Sequence, residues 1–444
     1  MRFLIFLAVR RWSLLLAGVA WALCTGCTRT IIYSRAAAGD AELAAVDGPL
    51  RLYFDRDGSL YPAAAAGVRI DPADLAARNG YLFEYFTSNQ HGTLVQRQAQ
   101  QHRLWQYYDP AADPDTLNLS QPDREQRWRS LQQVMRRHAA AALTAELARR
   151  KPTLLVVLIH GFNTHAASTR TWYDTVTADV RRHQPAERIQ FVEVYWDGGK
   201  SSSPLPLLLW KYAQYNMYGV GLALRQVLAG TAEADLPPTR IFTHSTGGPL
   251  LCVALWNSAT ALGSAAAAPI TESPMPGVPT FWGQSYRWLQ HQPAFRTPRL
   301  PQLRVAILAP AMPGAHFHEF LRRTPAEAAD STGRCERILF GQNRHDIATG
   351  KSILVSSRWS WVGATSLGVR PDEYFAFVRP EVDGKPYVRT KTYLLDFTGH
   401  GTPYHAHGVL EFRKNHAAYQ GLLDAWLGAG PPPAAPWLVS KPSP

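Results

Sequence analysis

The chain is poor in sulfur and in acid. Only four cysteines occur in 444 residues, and two of them, Cys24 and Cys27, fall in the opening stretch. The remaining two, Cys252 and Cys335, are too few for a disulfide framework, and whether they pair stays open. Asp and Glu number 34 against 46 Lys and Arg, a formal charge of +12. No dense basic block gathers that surplus, so it reads as arginine-rich surface and no nucleic-acid partner is expected. Charged residues reach only 18% beside 46% hydrophobic ones. A sizeable core can form, and disorder is excluded over most of the length. No HExxH or comparably spaced ligand set exists, and no internal repeat is evident.

What is present begins with a targeting segment, MRFLIFLAVRRWSLLLAGVAWALCTGC. Arg2, Arg10 and Arg11 form a positive flank. Trp12 to Leu23 make an apolar core too short to span a bilayer comfortably unless Phe3 to Val9 join it. The C-T-G-C end resembles a bacterial lipobox closing on Cys27, with Cys24 where leucine is usual. The resemblance implies lipidation of Cys27 and a stable membrane anchor, each buried methylene contributing ~0.8 kcal/mol. Thr28 follows where an aspartate would favour the inner membrane. The implied address is the bacterial envelope, on the outer membrane facing the periplasm. An uncleaved anchor is the alternative.

Residues 1–26 thus read as a signal peptide and 27–48 as a small, polar tether. Residues 49–150 form an N-terminal extension: LRLYFDRDGSLYP reads as a strand or hairpin, and a long helix is expected from Asp123 to Arg150. In that helix Trp128, Leu131, Met135, Ala142, Leu143 and Leu147 recur at helical spacing. From 151 the rhythm becomes strand, loop, helix. Buried strands are expected at 153–160, 189–196, 240–245, 303–311, 335–342 and 390–399. Helices are expected from about Ser168 to His183, near 208–229, after Ser245, and at the close of a domain ending near 430. Such alternation specifies an α/β class with a mostly parallel sheet flanked by helices on both faces. Residues 262–300 interrupt it as a cap insertion rich in aromatic side chains, including Phe281, Trp282, Tyr286 and Trp288. Residues 431–444 are a Pro-rich tail.

Chemistry concentrates at Thr243-His244-Ser245-Thr246-Gly247-Gly248. A serine between a strand end and glycines is the geometry of a nucleophile elbow, which strains the serine and exposes its hydroxyl above the sheet. Thr243 stands where the usual pattern has glycine. A nucleophilic serine needs a base, a group to orient that base, and donors for the oxyanion. The strand at 153–160 ends in H-G-F-N (160–163), which resembles the His-Gly turn of α/β hydrolases and so implies an oxyanion amide from Phe162 beside that of Thr246. His160 and His244 read as framework residues. The acid is expected past the strand at 335–342, at Asp346, with Asp396 and Glu319 less suited by position. The base comes from the last loop, which offers His400, His405 and His407. His407, before Gly408 and the closing helix, resembles in its place the catalytic histidine of α/β hydrolases and is chosen on that ground, with His405 the alternative.

These features resemble the α/β-hydrolase superfamily over about residues 150–430, and most closely its little-characterised bacterial branch with a His-Gly-Phe-Asn strand end. The resemblance implies a Ser245–His407–Asp346 triad in the order serine, acid, histidine, with an oxyanion hole from Phe162 and Thr246. It also implies hydrolysis through an acyl-enzyme with no metal or organic cofactor. A membrane-anchored serine esterase is the expected function, with lipid-like esters among its substrates. Two rivals remain: metal-dependent hydrolysis prompted by H-F-H-E (316–319) and H-A-H (405–407), and an inactive hydrolase-fold lipoprotein acting as a binding scaffold.

Overall fold

The computed structural model describes residues 48–56, 58–61, 120–164, 166–198, 207–231, 236–256, 298–314, 317, 335–350, 366–379, 391–399 and 406–428. The expected signal segment with Cys27, nearly all of the expected tether, most of the expected cap and the Pro-rich stretch at 431–444 lie outside these residues. Seven strands form one sheet: β1 (Leu50–Phe54), β2 (Leu154–Ile159), β3 (Ile189–Trp196), β4 (Thr239–His244), β5 (Leu303–Leu308), β6 (Cys335–Gln342) and β7 (Lys391–Asp396). Their order across the sheet is β1-β3-β2-β4-β5-β6-β7, and every pairing is parallel. Parallel strands need a covered sheet on both faces. The sequences agree: LLVVLI of β2 and LRVAIL of β5 are buried at every position.

The connections supply the cover. Helix α1 (Gln121–Arg150) precedes β2, α2 (Ala166–His183) follows it, and α3 (Leu207–Gly230) follows β3. Helix α4 (Gly247–Leu255) leaves β4 directly, and α5 (Val409–Lys414) and α6 (His416–Leu427) close the described chain. Leu143 and Leu147 of α1 pack with α3 and α4 on one face of the sheet. Trp172, Tyr173, Val176 and Val180 of α2 and Trp426 of α6 fill the other. This is an α/β architecture.

The N-terminal part is tied into the same sheet. β1 pairs with β3 along its length, and beyond it Gly58 N–H donates to Asp55 O at 2.9 Å as the chain brings Leu60 back against Phe54. Gln132 of α1 accepts from the Leu60 N–H at 2.7 Å, and the Trp128 indole donates to Ser59 at 3.2 Å. α1 opens where Ser120 accepts from the Asp123 N–H at 3.4 Å with Pro122 in the first turn, and closes on Lys151 in the left-handed conformation.

Several boundaries differ from the sequence expectation. α2 starts at Ala166 and not at Ser168, because two alanines, strong helix formers, extend it upstream. In α1, Ala140 is buried while Ala142 faces solvent. β4 ends at His244, so Ser245 belongs to the turn. β5 ends at Leu308 because Ala309 turns left-handed, with φ +46°. Cys252 and Cys335 are both buried and unbonded to each other. Among the described residues, no helix is long and apolar enough to cross a membrane.

Candidate active site

The turn after β4 is strained at one residue. Ser245 has φ +56°, the left-handed region that costs a side-chain-bearing residue about 1–3 kcal/mol unless its surroundings enforce it. They do so through the backbone: the Ser245 N–H donates to Leu308 O at 2.9 Å, and Ser245 O accepts from Gly248 N–H at 3.0 Å and Ala311 N–H at 3.3 Å. The glycine after the turn is obligatory. A Cβ on Gly247 would lie 2.3 Å from Thr243 Oγ1 and 2.7 Å from His160 O. Thr243 therefore takes the room that a glycine in its place would leave, and the crowding falls on Gly247.

The H-G-F-N turn comes from β2, which is separated from β4 in the chain by β3 but lies beside it in the sheet. A Cβ on Gly161 would come within 2.7 Å of the Ser245 Cβ, so the two turns touch. Asn163 adopts φ +57°, a conformation asparagine tolerates better than most side chains. His160 anchors the turn to β3. Its Nε2 accepts from the Trp196 N–H at 3.0 Å and its carbonyl from the Trp196 indole at 2.8 Å, while the Tyr173 hydroxyl accepts from its N–H at 2.9 Å. Burial drives the His160 pKa down to about 3, so this ring is neutral and structural.

The loop before α5 places His407 over the serine. Ser245 Oγ lies 2.9 Å from His407 Nε2, and His407 Nδ1 lies 2.7 Å from Asp346 Oδ2. Asp346 sits in the loop leaving β6 and is 1% exposed. Its Oδ2 also accepts from the Thr349 hydroxyl at 2.7 Å, and Oδ1 from the N–H groups of Ala348 at 2.8 Å and Thr349 at 3.3 Å. Burial pushes this carboxyl up, but the His407 ring and these donors outweigh it and hold the pKa below the usual value. An ionised Asp346 fixes the proton of His407 on Nδ1, which leaves Nε2 free to accept from Ser245.

Two further groups hold the histidine loop. His244 Nε2–H donates to the His407 carbonyl at 2.5 Å, with ring centroids 4.6 Å apart. Burial first, then the neighbouring His407, lowers the His244 pKa to about 3, so it donates as a neutral ring. Asn343 Nδ2 reaches Ala406 O at 3.4 Å. Thr349 and Asn343 were not singled out in the sequence. The Asp-x-x-Thr spacing, which lets a carboxylate bond its own turn, is the signal that would have found Thr349.

The structure thus brings together Ser245, Asp346 and His407, with Phe162 and Thr246 adjoining the two touching turns. No backbone acceptor among the described residues takes the Thr246 N–H. One expectation is overturned. The serine was to stand open above the sheet, yet Ser245 is 1% exposed. The β5 end, the Gly161 turn and the His407 ring enclose it, and the His407 side chain, 24% exposed, is the part that meets solvent. Asp396 ends β7, where its carboxylate accepts from the Thr398 N–H at 2.9 Å. His400, His405 and Glu319 lie outside the described residues. Among the described residues no group of three His, Cys, Asp or Glu could hold a metal ion. No family model, curated protein or solved structure matches the chain.

Proposed function

We propose that the chain is a serine hydrolase of the α/β-hydrolase kind that cleaves carboxylic esters through an acyl-enzyme. The observation that carries this reading is the unbroken line from Asp346 Oδ2 through both His407 nitrogens to Ser245 Oγ, at 2.7 and 2.9 Å. In the proposed reaction Ser245 Oγ attacks the ester carbonyl as its proton passes to His407 Nε2. Asp346 stabilises the resulting imidazolium. The tetrahedral oxyanion faces the N–H groups of Phe162 and Thr246, and loss of one such donor costs about 100- to 1000-fold. His407 then protonates the departing alcohol, and a water molecule activated by the same nitrogen releases the acid.

A lipid-like ester is the favoured substrate class on two sequence grounds, the aromatic segment at 262–300 and the expected lipid anchor at Cys27. That anchor, and with it an outer-membrane address, belongs to this proposal. A second reading, an inactive binding scaffold, draws on the 1% exposure of Ser245.

Kinetics on short and long acyl esters separate the two. Ser245→Ala and His407→Ala are each expected to lower kcat by at least about 1000-fold, while His405→Ala keeps turnover. Loss with His405→Ala and retention with His407→Ala would assign the base to His405. No turnover by the wild type on any ester leaves the scaffold.

A further inference from the structure

Because all seven strands run the same way, their first residues share one pole of the sheet. Ser245, Asp346 and His407 follow strand ends and stand at the other. The first pole carries a cation at the foot of six neighbouring strands. Arg188 directly precedes β3 and Lys151 lies three residues before β2. Arg240 and Arg304 are the second residues of β4 and β5, Arg337 the third of β6, and Lys391 the first of β7. The last four are in direct register, Arg240 to Arg304 to Arg337 to Lys391, and so line one face.

Internal roles account for part of this row. Arg304 and Arg337 donate to the carbonyls of Gly428 and Ala425 at the C-terminal end of α6, where cations suit the helix dipole. Arg304 also pairs with Glu336 at 2.9 Å. Of the outer members, Arg188 donates its Nε–H to the Lys151 carbonyl at 3.0 Å. Lys151, Arg188 and Lys391 are exposed, and among the described residues none has a carboxylate within ion-pair distance. Two carboxylates share this pole and offset part of its charge: Asp424, 3.1 Å from His183 Nε2, and Glu187, which accepts from the Thr153 hydroxyl.

The same pole is where the N-terminal segment joins the sheet. β1 is parallel to β3, so Leu50 lies at the cationic end, and the 47 residues before the described chain attach there. We propose that this pole docks on the surface of an anionic phospholipid bilayer and turns the Ser245 end away from it. The exposed Lys151, Arg188 and Lys391, with the buried Arg240, Arg304 and Arg337 behind them, suit the diffuse negative potential of a lipid surface. The inference does not depend on catalysis at Ser245.

The test is co-sedimentation of the full chain with vesicles of phosphatidylcholine alone and with phosphatidylglycerol added. An N-terminal anchor adds uptake on both alike, so the difference reads the pole. The wild type is expected to favour the anionic vesicles, with the preference fading as salt rises to about 0.5 M. Lys151→Gln/Arg188→Gln/Lys391→Gln should lose about fivefold of that preference per charge. Arg344→Gln/Arg370→Gln/Lys414→Gln removes as many exposed charges near the triad end and should keep the preference. Equal uptake on both vesicles overturns the proposal, as does equal loss by the two triple variants. Displacement of bound vesicles by duplex DNA at equal phosphate also overturns it, making this a nucleic-acid face.

Discussion

Ser245 combines a left-handed backbone with a hydroxyl aimed at an imidazole, and each condition depends on neighbours far away in sequence. Leu308 and Ala311 hold its backbone, Gly161 makes room for it, and His407 meets its oxygen. Asp346 has one partner that matters for chemistry, the His407 Nδ1–H. Asp346→Asn is expected to favour the wrong tautomer and cost about 10⁴-fold in kcat while substrate binding is little changed; a loss of only a few fold would show that Asp346 does not orient the base. Thr243 offers a subtler case. Its hydroxyl is buried without a hydrogen-bond partner, so Thr243→Val should leave activity intact and raise stability by up to about 1 kcal/mol in urea unfolding. A destabilised variant would mean that the hydroxyl is satisfied.

At the scale of elements, the two turns around the serine depend on two glycines. Gly161→Ala would drive a methyl group into the Ser245 Cβ at 2.7 Å, and Gly247→Ala would meet Thr243 Oγ1 at 2.3 Å. Both substitutions should destabilise the fold by about 1–3 kcal/mol and abolish ester turnover; wild-type melting of either would contradict the packing described. The strands behind these turns were legible in the sequence because parallel strands buried on both faces carry dense runs such as LLVVLI. Ser245, Asp346 and His407 were legible by their order along those strands. The place of β1 was not, since its pairing with β3 is decided by packing in space and leaves no local pattern. Nor was the burial of Ser245, which arises where three separate chain segments meet. The α1 register slipped from Ala142 to Ala140 because alanine is too small to mark which face of a helix is inward.

The molecule as a whole has a defined response to acid. His160 and His244 have pKa values lowered by burial to about 3, against 6.5 when unfolded. Between those values the unfolded chain binds protons that the folded chain refuses, so stability falls as pH drops below 6.5. Each histidine contributes roughly 1.4 kcal/mol of loss per pH unit. Asp346, whose folded pKa is lowered, adds a further loss as pH falls below its ordinary value of 3.8. Glu193, raised by burial despite its ion pair with Arg51, works in the opposite sense near the carboxylate range. Urea midpoints should therefore decline steadily from pH 6.5 to 4.5; a flat profile would contradict two buried neutral rings.

A nucleophilic Ser245 hydroxyl should be open to covalent trapping. The full chain is treated with a fluorophosphonate in the presence of a chelator, and the adduct is mapped by peptide mass spectrometry. One adduct is expected in the wild type, on the peptide carrying Ser245, and almost none in His407→Ala. A wild-type protein that stays unmodified, or is labelled at some other residue, would contradict it.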